Sequence, residues 1–333
     1  MSLSNSIKSA GMLLFVMVVL SVASGAVRTD GSSAESISII AVEWVPMRCH
    51  ASIISSLKEE LKESKEMAEE HVSIRRVNAF GDDERLHELL QELSSSPPDM
   101  MIGFGEHVCH AIREVLPNSP LVALLVREEY GRKAAPNAED GPMVCFTAAP
   151  KPETVWAVAH CLKPTMSRMG VLYTKNYAPN EELARALEEC GRRERRELVR
   201  ATVPSGFCRV ESDFEKAVTG LQASKPCGLL YVPEDPNSAR FTGVVYRCTE
   251  DLRLPAIGGE TTRGKGCVVA IALDYEALGR ESARHSLALL EGKARKTLSV
   301  SAPRKLLVDS EAMRKYGLNV SDEELLKAMH SGE

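Results

Sequence analysis

Short apolar runs alternate with stretches whose apolar residues recur three and four apart, and this alternation passes along the chain twice. Ser36 to Val42 (SISIIAV) reads as a buried strand, and Ile53, Ile54, Leu57 and Leu61 then fall on one helical face. Val72 to Ala79 is the next strand, followed by a helix with Leu86, Leu89, Leu90 and Leu93 on one stripe. The breaker SSSPP leads into a strand from Met100 to Gly103, a helix from Glu106 to Val115 and a strand from Leu121 to Val126. Arg127 to Gly141 (REEYGRKAAPNAEDG) is polar and without period, and reads as a loop. Pro142 to Thr147 is a strand, Glu153 to Leu162 a helix, and Ala148 to Pro152 between them reads as a crossing.

The second series opens at Met169 to Thr174 and continues with a helix from Asn180 that groups Leu183, Ala184 and Leu187. Glu197 to Val203 is a strand, and Ser212 with Glu215 has the spacing of a capping box. A strand from Gly228 to Val232, a helix from about Asn237 to Leu252 and a strand from Pro255 to Gly258 complete it. Strand, helix, strand, helix in this order means parallel sheets covered on both faces. Two series therefore predict an α/β protein of two doubly wound parallel-sheet lobes. The last third adds a strand (Val268 to Leu273), a long helix (Tyr275 to Leu290), a short strand (Lys305 to Val308) and a helix capped by Ser321 and Glu324, as if the chain returned to each lobe in turn.

The first 26 residues are of another kind. Lys8 precedes an apolar run, Met12 to Val22, and then Ala23, Ser24, Gly25 and Ala26, which is the order of a secretory signal peptide. The run is shorter than the roughly 20 residues needed to span a bilayer. Cleavage after Ala26, with Ser24 at the minus-three position, predicts a periplasmic protein. The whole chain carries 41 basic and 46 acidic residues and no basic block, so nucleic acid is not an expected partner. Nine cysteines, an odd number, leave at least one thiol unpaired in a monomer, and no pairing is assigned.

The carboxyl-terminal third carries a family resemblance. ALDYEALGRESARHSLALLEGKA (Ala272 to Ala294) and RKLLVDSEAMRKYGLNVSDEELLKAM (Arg304 to Met329) resemble the closing segments of ABC-transporter substrate-binding proteins of the tryptophan and tyrosine type, relatives of the type I periplasmic binding-protein fold. MGVLYT, LLYVPEDPNS and LPAIGGE take the places of that family's second-lobe strands. The resemblance implies a first lobe of 34–148 plus about 274–296 and a second of 149–273 plus about 297–333, the two joined by a hinge. It also implies a small ligand, by family default an amino acid, aromatic ones included, that is enclosed between the lobes and handed to the permease and ATPase of an ABC importer. A monomer without cofactor or catalytic activity is expected. By position the pocket would comprise Glu43, Trp44 and Pro46, then Gly105, Glu106 and His107, then Glu234, Asp235 and Asn237, with Glu260 and Thr261 as a further wall. The family's small-hydroxyl-proline turn after the third strand is replaced by GFGEHVCHA, where Glu106 would repel a ligand carboxylate. Its "DP" turn after the fourth strand is replaced by the REEYG stretch.

Individual residues admit more than one chemistry. Glu234 and Asp235 could hold an ammonium group, or form an ordinary PEDPN turn. Trp44 could stack on a flat ligand or pack beneath its loop. His107, Cys109 and His110 with Cys49 and His50 could form a metal site in a periplasmic metal-binding protein, although HVCH is not a zinc spacing. A sensory or degenerate binding protein is the other alternative. GETTRGKG (Gly259 to Gly266) has Gly266 where a phosphate-binding loop needs Ser or Thr, and Gly103-Phe104-Gly105 has Val108 where a dinucleotide fingerprint needs glycine. No nucleophile with a partner base can be named.

Overall fold

The structure is a computed structural model and describes residues 36–64, 71–133, 141–204, 211–235, 240–259, 266–293 and 297–331. The leader, Cys208, Asn237, Glu260 and Thr261 lie outside the described residues.

Twelve described strands form two six-stranded sheets. The first contains β1 (Ser36–Glu43), β2 (His71–Asn78), β3 (Met100–Phe104), β4 (Leu121–Val126), β5 (Met143–Thr147) and β11 (Leu298–Ser301), in the spatial order β11-β5-β4-β3-β1-β2. Every pairing in it is parallel. The second contains β6 (Arg168–Thr174), β7 (Glu197–Val203), β8 (Leu229–Val232), β9 (Ala256–Gly258), β10 (Val269–Leu273) and β12 (Arg304–Val308), in the order β12-β10-β9-β8-β6-β7, with β12 alone antiparallel. Both sheets are doubly wound, and the expected α/β class is correct.

Alternation along β1 shows how the sequence covers both faces. Ile39 and Ala41 join a cluster with Ile53 and Leu57 of α1 (Arg48–Glu63) and with Leu278. Ile40 and Val42 point the other way, into Leu86 and Leu90 of α2 (Asp83–Ser94) and Val108 and Ile112 of α3 (Glu106–Val115). In the second sheet Met169, Val171 and Tyr173 pack with Trp156 of α5 (Pro152–Leu162) and Leu187 of α6 (Ala178–Arg193). Leu172 faces Phe214 of α7 (Glu211–Ser224) and Val245 of α8 (Thr242–Asp251) on the opposite side.

The long helix α9 (Tyr275–Leu290) follows a strand of the second sheet yet packs on α1 of the first. Gly279 permits this close approach, since a Cβ there would collide with the Ile53 carbonyl and lie 2.8 Å from Ser56 Cβ. The chain closes with α10 (Ser310–Lys315) and α11 (Asp322–Ser331). Ser321 and Glu324 form the expected capping box, with the Ser321 hydroxyl donating to Glu324 at 2.8 Å and the Glu324 amide donating back at 3.3 Å.

Three strands of chain cross between the sheets, and they are bonded to one another. The Ala302 amide donates to Thr147 at 3.2 Å, the Asp274 amide donates to Pro303 at 2.9 Å, and Arg304 donates to the Ala148 carbonyl. Two expectations need correction. Leu298–Ser301, assigned with the second lobe from sequence, pairs with β5 and extends the first sheet, because the chain adds an edge strand there before it crosses for the third time. The stretch read as a loop from Arg127 contains α4 (Glu128–Lys133), whose polar surface hides its single helical turn and a half from an apolar-period reading.

Replacing Gly279 by alanine should therefore force α1 and α9 apart and destabilise the fold by about 1–3 kcal/mol. Thermal unfolding would check it, an unchanged melting temperature being the contrary result.

Candidate functional site

In an open α/β sheet the crevice lies beyond the carboxyl ends of the strands, where the strand order reverses. These points are β1/β3 in the first sheet and β6/β8 in the second. The segments that follow are Trp44 to Met47, Gly105 to His107, Lys175 to Pro179 and Pro233 to Asp235, so the described residues named from sequence lie at the ends of the four strands that flank the reversals.

Glu43 ends β1 and is 1% exposed, a burial that a lone carboxylate would not tolerate. Arg76, across the ladder on β2, supplies Nε at 3.0 Å and Nη2 at 2.6 Å. His50, in the first turn of α1, stacks on Phe104 with ring centroids 4.0 Å apart and 22° between planes. Its Nδ1 lies 3.7 Å from Glu43 Oε1, beyond hydrogen-bond reach, and is buried without a hydrogen-bond partner. Burial, aided by the Arg76 charge, pushes the imidazole down to about 4.

Trp44 is half-buried and meets the His107 ring edge-on, centroids 4.6 Å apart at 84°. His107 Nε2 lies 2.7 Å from Asp83 Oδ1 at the start of α2. These contacts tie the loops after β1, β2 and β3 together. Val45, Pro46 and Met47 stand exposed at their lip. Gly105 adopts φ +83°, a backbone open to glycine at little cost, and turns the chain into α3.

Glu106 is met by a residue that sequence reading left in a loop. Arg127 donates its backbone N–H and Nε to Oε1 at 2.8 and 2.7 Å, and Nη2 to Oε2 at 2.6 Å. Its Nη1 donates to Glu182 Oε1 of α6 at 2.7 Å, so the two lobes touch here. The paired carboxylates hold the guanidinium proton more tightly than usual, and burial with a hydrogen bond to Glu129 raises the Glu182 carboxyl.

In the second lobe Asp235 is 5% exposed and serves as an internal acceptor. The Thr174 amide and the Asn180 Nδ2 donate to its Oδ2 at 3.1 and 3.2 Å, and the Thr174 hydroxyl donates to Oδ1 at 3.0 Å. The neighbouring Glu234 is exposed as a residue and its side chain lies over Gly259, whose missing Cβ leaves it room. Tyr177 stands close enough to Asp235, Arg127 and Glu234 to feel their charges, and burial raises its phenol. Arg127, Thr174, Asn180, Tyr177 and Glu182 are the residues that sequence reasoning missed. A lone arginine directly after a wholly apolar strand was the available signal for the first of them.

The alternative metal cluster does not assemble. The Cys109 thiol is buried and donates to the Gly103 carbonyl at 3.3 Å, His107 is held by Asp83, and His110 lies 3.3 Å from Glu114. Among the described residues, no group of three or more His, Cys, Asp or Glu side chains is placed to hold a metal ion. Among the described cysteines, Cys109, Cys145, Cys161, Cys190, Cys227 and Cys248 are free thiols. A cavity of about 270 Å³ between β1, β2 and α2 is lined by Ser38, Arg75 and Pro98 near the amino ends of the strands and is separate from this constellation.

Two doubly wound lobes with polar residues gathered at facing strand ends define the binding-protein class of the type I fold. Residues 41–331 match the family described as ABC transporter substrate binding protein, and the chain belongs to that family. Among solved structures it is similar to a ligand-free, open substrate-binding protein with adhesive properties from Clostridium difficile, at TM-score 0.70 and 14% identity over 86% of this chain and 97% of that one. It is also similar to an ABC domain from Streptococcus pneumonia in complex with L-Trp, at TM-score 0.62 and 15% identity over 88% and 98% of the two chains. A conserved domain protein from Vibrio cholerae gives TM-score 0.61 and 17% identity over 87% and 97%. No curated protein matches the chain. Among the described residues no helix is long and apolar enough to cross a membrane.

His50 makes a pH prediction. Its folded pKa is about 4 against an ordinary 6.5, so between those values the unfolded chain binds the extra proton. Stability from this group is complete above pH 6.5 and is withdrawn as pH falls toward about 4, by at most roughly 3 kcal/mol. His50→Gln should flatten that part of the stability profile relative to the native chain. Chemical denaturation at a series of pH values measures the difference, and parallel profiles would show that His50 does not cause it.

Proposed function

We propose that this protein is an exported solute-binding protein that encloses a small ligand between its two lobes and delivers it to the permease and ATPase of an ABC importer. The observation that carries the reading is the bridge from Arg127, after the fourth strand of the first sheet, to Glu182 of the second lobe, together with three crossings bonded to one another. Family membership supports the same role. Residues 1–26 serve as the export signal, cleaved after Ala26, and the mature protein acts in the periplasm as a monomer that binds and does not catalyse.

The ligand is an amino acid or a compound of similar size. Trp44 and Pro46 offer apolar surface at the lip, and Gly105, Glu106 and His107 form the first-lobe wall. Glu234 and Asp235, with Asn237, Glu260 and Thr261, form the second-lobe wall. Glu43 underlies the first wall, its charge already met by Arg76. Asp235 contributes by orienting Thr174 and Asn180, and Glu234 beside it supplies a carboxylate for a ligand ammonium.

A ligand that binds only the folded state raises its melting temperature, and at a hundredfold excess over Kd the gain is about 2.7 kcal/mol. Thermal-shift screening against the common amino acids, small peptides and small carboxylates should find such a compound. Trp44→Ala should weaken it by about tenfold or more while the unliganded melting temperature stays near that of the native chain. A broad panel with no stabiliser would remove the binding reading.

A further inference from the structure

Arg127 is bonded on two sides, and the sides differ in kind. Toward the first lobe it makes three bonds to Glu106, which fix both the position and the plane of the guanidinium. Toward the second lobe it makes one, from Nη1 to Glu182. Among the described residues this is the one ion pair that joins a side chain of the first lobe to one of the second, the others joining partners within a lobe.

We propose that Arg127 and Glu182 form a self-supplied strut across the cleft, in which Glu182 holds the guanidinium edge that an anionic group of the ligand takes. The inference rests on the cleft being the ligand site. Arg127 and Glu106 together are neutral, so Glu182 brings a negative charge in excess, and Glu129 beside it is offset by Lys133 at 2.6 Å. Glu182 is thus the exchangeable member: it carries the surplus charge and the fewest bonds. An incoming carboxylate makes the same kind of N–H to oxygen bond, so the exchange trades like for like. The strut therefore lowers the apparent affinity for anions by the fraction of molecules in which it is formed. Arg127 and Glu182 lie 35% and 27% exposed, close enough to solvent for such an exchange to begin from outside.

The experiment compares the native chain with Glu182→Gln, Arg127→Gln and, as a charge-matched control on the same helix, Glu188→Gln, whose partners Arg192 and Arg200 lie within its own lobe. Without added ligand, small-angle scattering should give a larger radius of gyration for Glu182→Gln and Arg127→Gln than for the native chain and the control, with unchanged circular dichroism. In thermal-shift titrations with acetate, propionate and succinate, Glu182→Gln should respond at concentrations about threefold to fivefold lower than the native chain. Arg127→Gln should not respond, and acetamide and propionamide should act on none of the four. Equal radii, or carboxylates that act on all four alike or on none, would overturn the proposal. If the wider panel still yields a stabiliser, the binding reading survives that failure; if the panel is silent too, both fall.

Discussion

A parallel sheet cannot be joined by tight turns, so each strand must be followed by a crossover that returns the chain to its starting edge. Helices thereby cover both faces, and polar side chains have room only at the strand ends and on the outer helix surfaces. In this chain β1 feeds Ile39 and Ala41 to one layer and Ile40 and Val42 to the other, and then delivers Glu43 and Trp44 to the loop. The same geometry delivers Thr174 and Asp235 in the second sheet. The site is a consequence of the sheet: the residues that cannot be buried in either layer meet where the layers stop.

Burial at those strand ends sets the second condition. Carboxylates at 1% and 5% exposure survive because each has donors supplied by its own lobe, Arg76 for Glu43 and Thr174 with Asn180 for Asp235. Such pairs contribute little net stability compared with apolar packing, but removing one partner strands a charge in a poorly solvated place. Their effect is to fix geometry. A loop whose terminal carboxylate is anchored by two nitrogens presents its neighbours, here Trp44 and His107, in one arrangement.

The fold was largely legible because its signals are apolar and periodic, and they repeat. Buried strands such as Met100–Phe104 and helical stripes such as Leu86, Leu90 and Leu93 announce themselves by hydrophobicity, and a capping box such as Ser321 with Glu324 by spacing. Elements with a polar surface did not show: α4 is six residues of EEYGRK, and β11 (LSVS) is an edge strand whose partners in β5 lie 154 residues away in the chain, as Val300 does from Phe146. The site was legible only in part for a related reason. Loop positions follow from strand ends, so Glu43, Glu106 and Asp235 could be named, whereas the donors that complete them come from other strands and helices. No local pattern links Glu43 to Arg76, Glu106 to Arg127 or Asp235 to Asn180.

The distribution of those donors explains how such a protein can be stable in each lobe and yet responsive between them. Nearly all charge compensation is local to a lobe, so separating the lobes leaves Glu43, Asp235 and the guanidinium fork on Glu106 intact. What changes on separation is the Nη1 bond to Glu182 and the solvation of half-buried groups around it. A partly exposed ion pair is worth about 1 kcal/mol or less, which is small beside the two hydrophobic cores but comparable to the difference between an open and a closed cleft. The crossings act in the same direction, because Asp274 to Pro303 and Ala302 to Thr147 are backbone bonds that a rigid-body hinge can keep while the strand ends move apart. The stability of each lobe and the side-chain contact between the lobes are therefore held by separate sets of contacts, and the set between the lobes is the weaker.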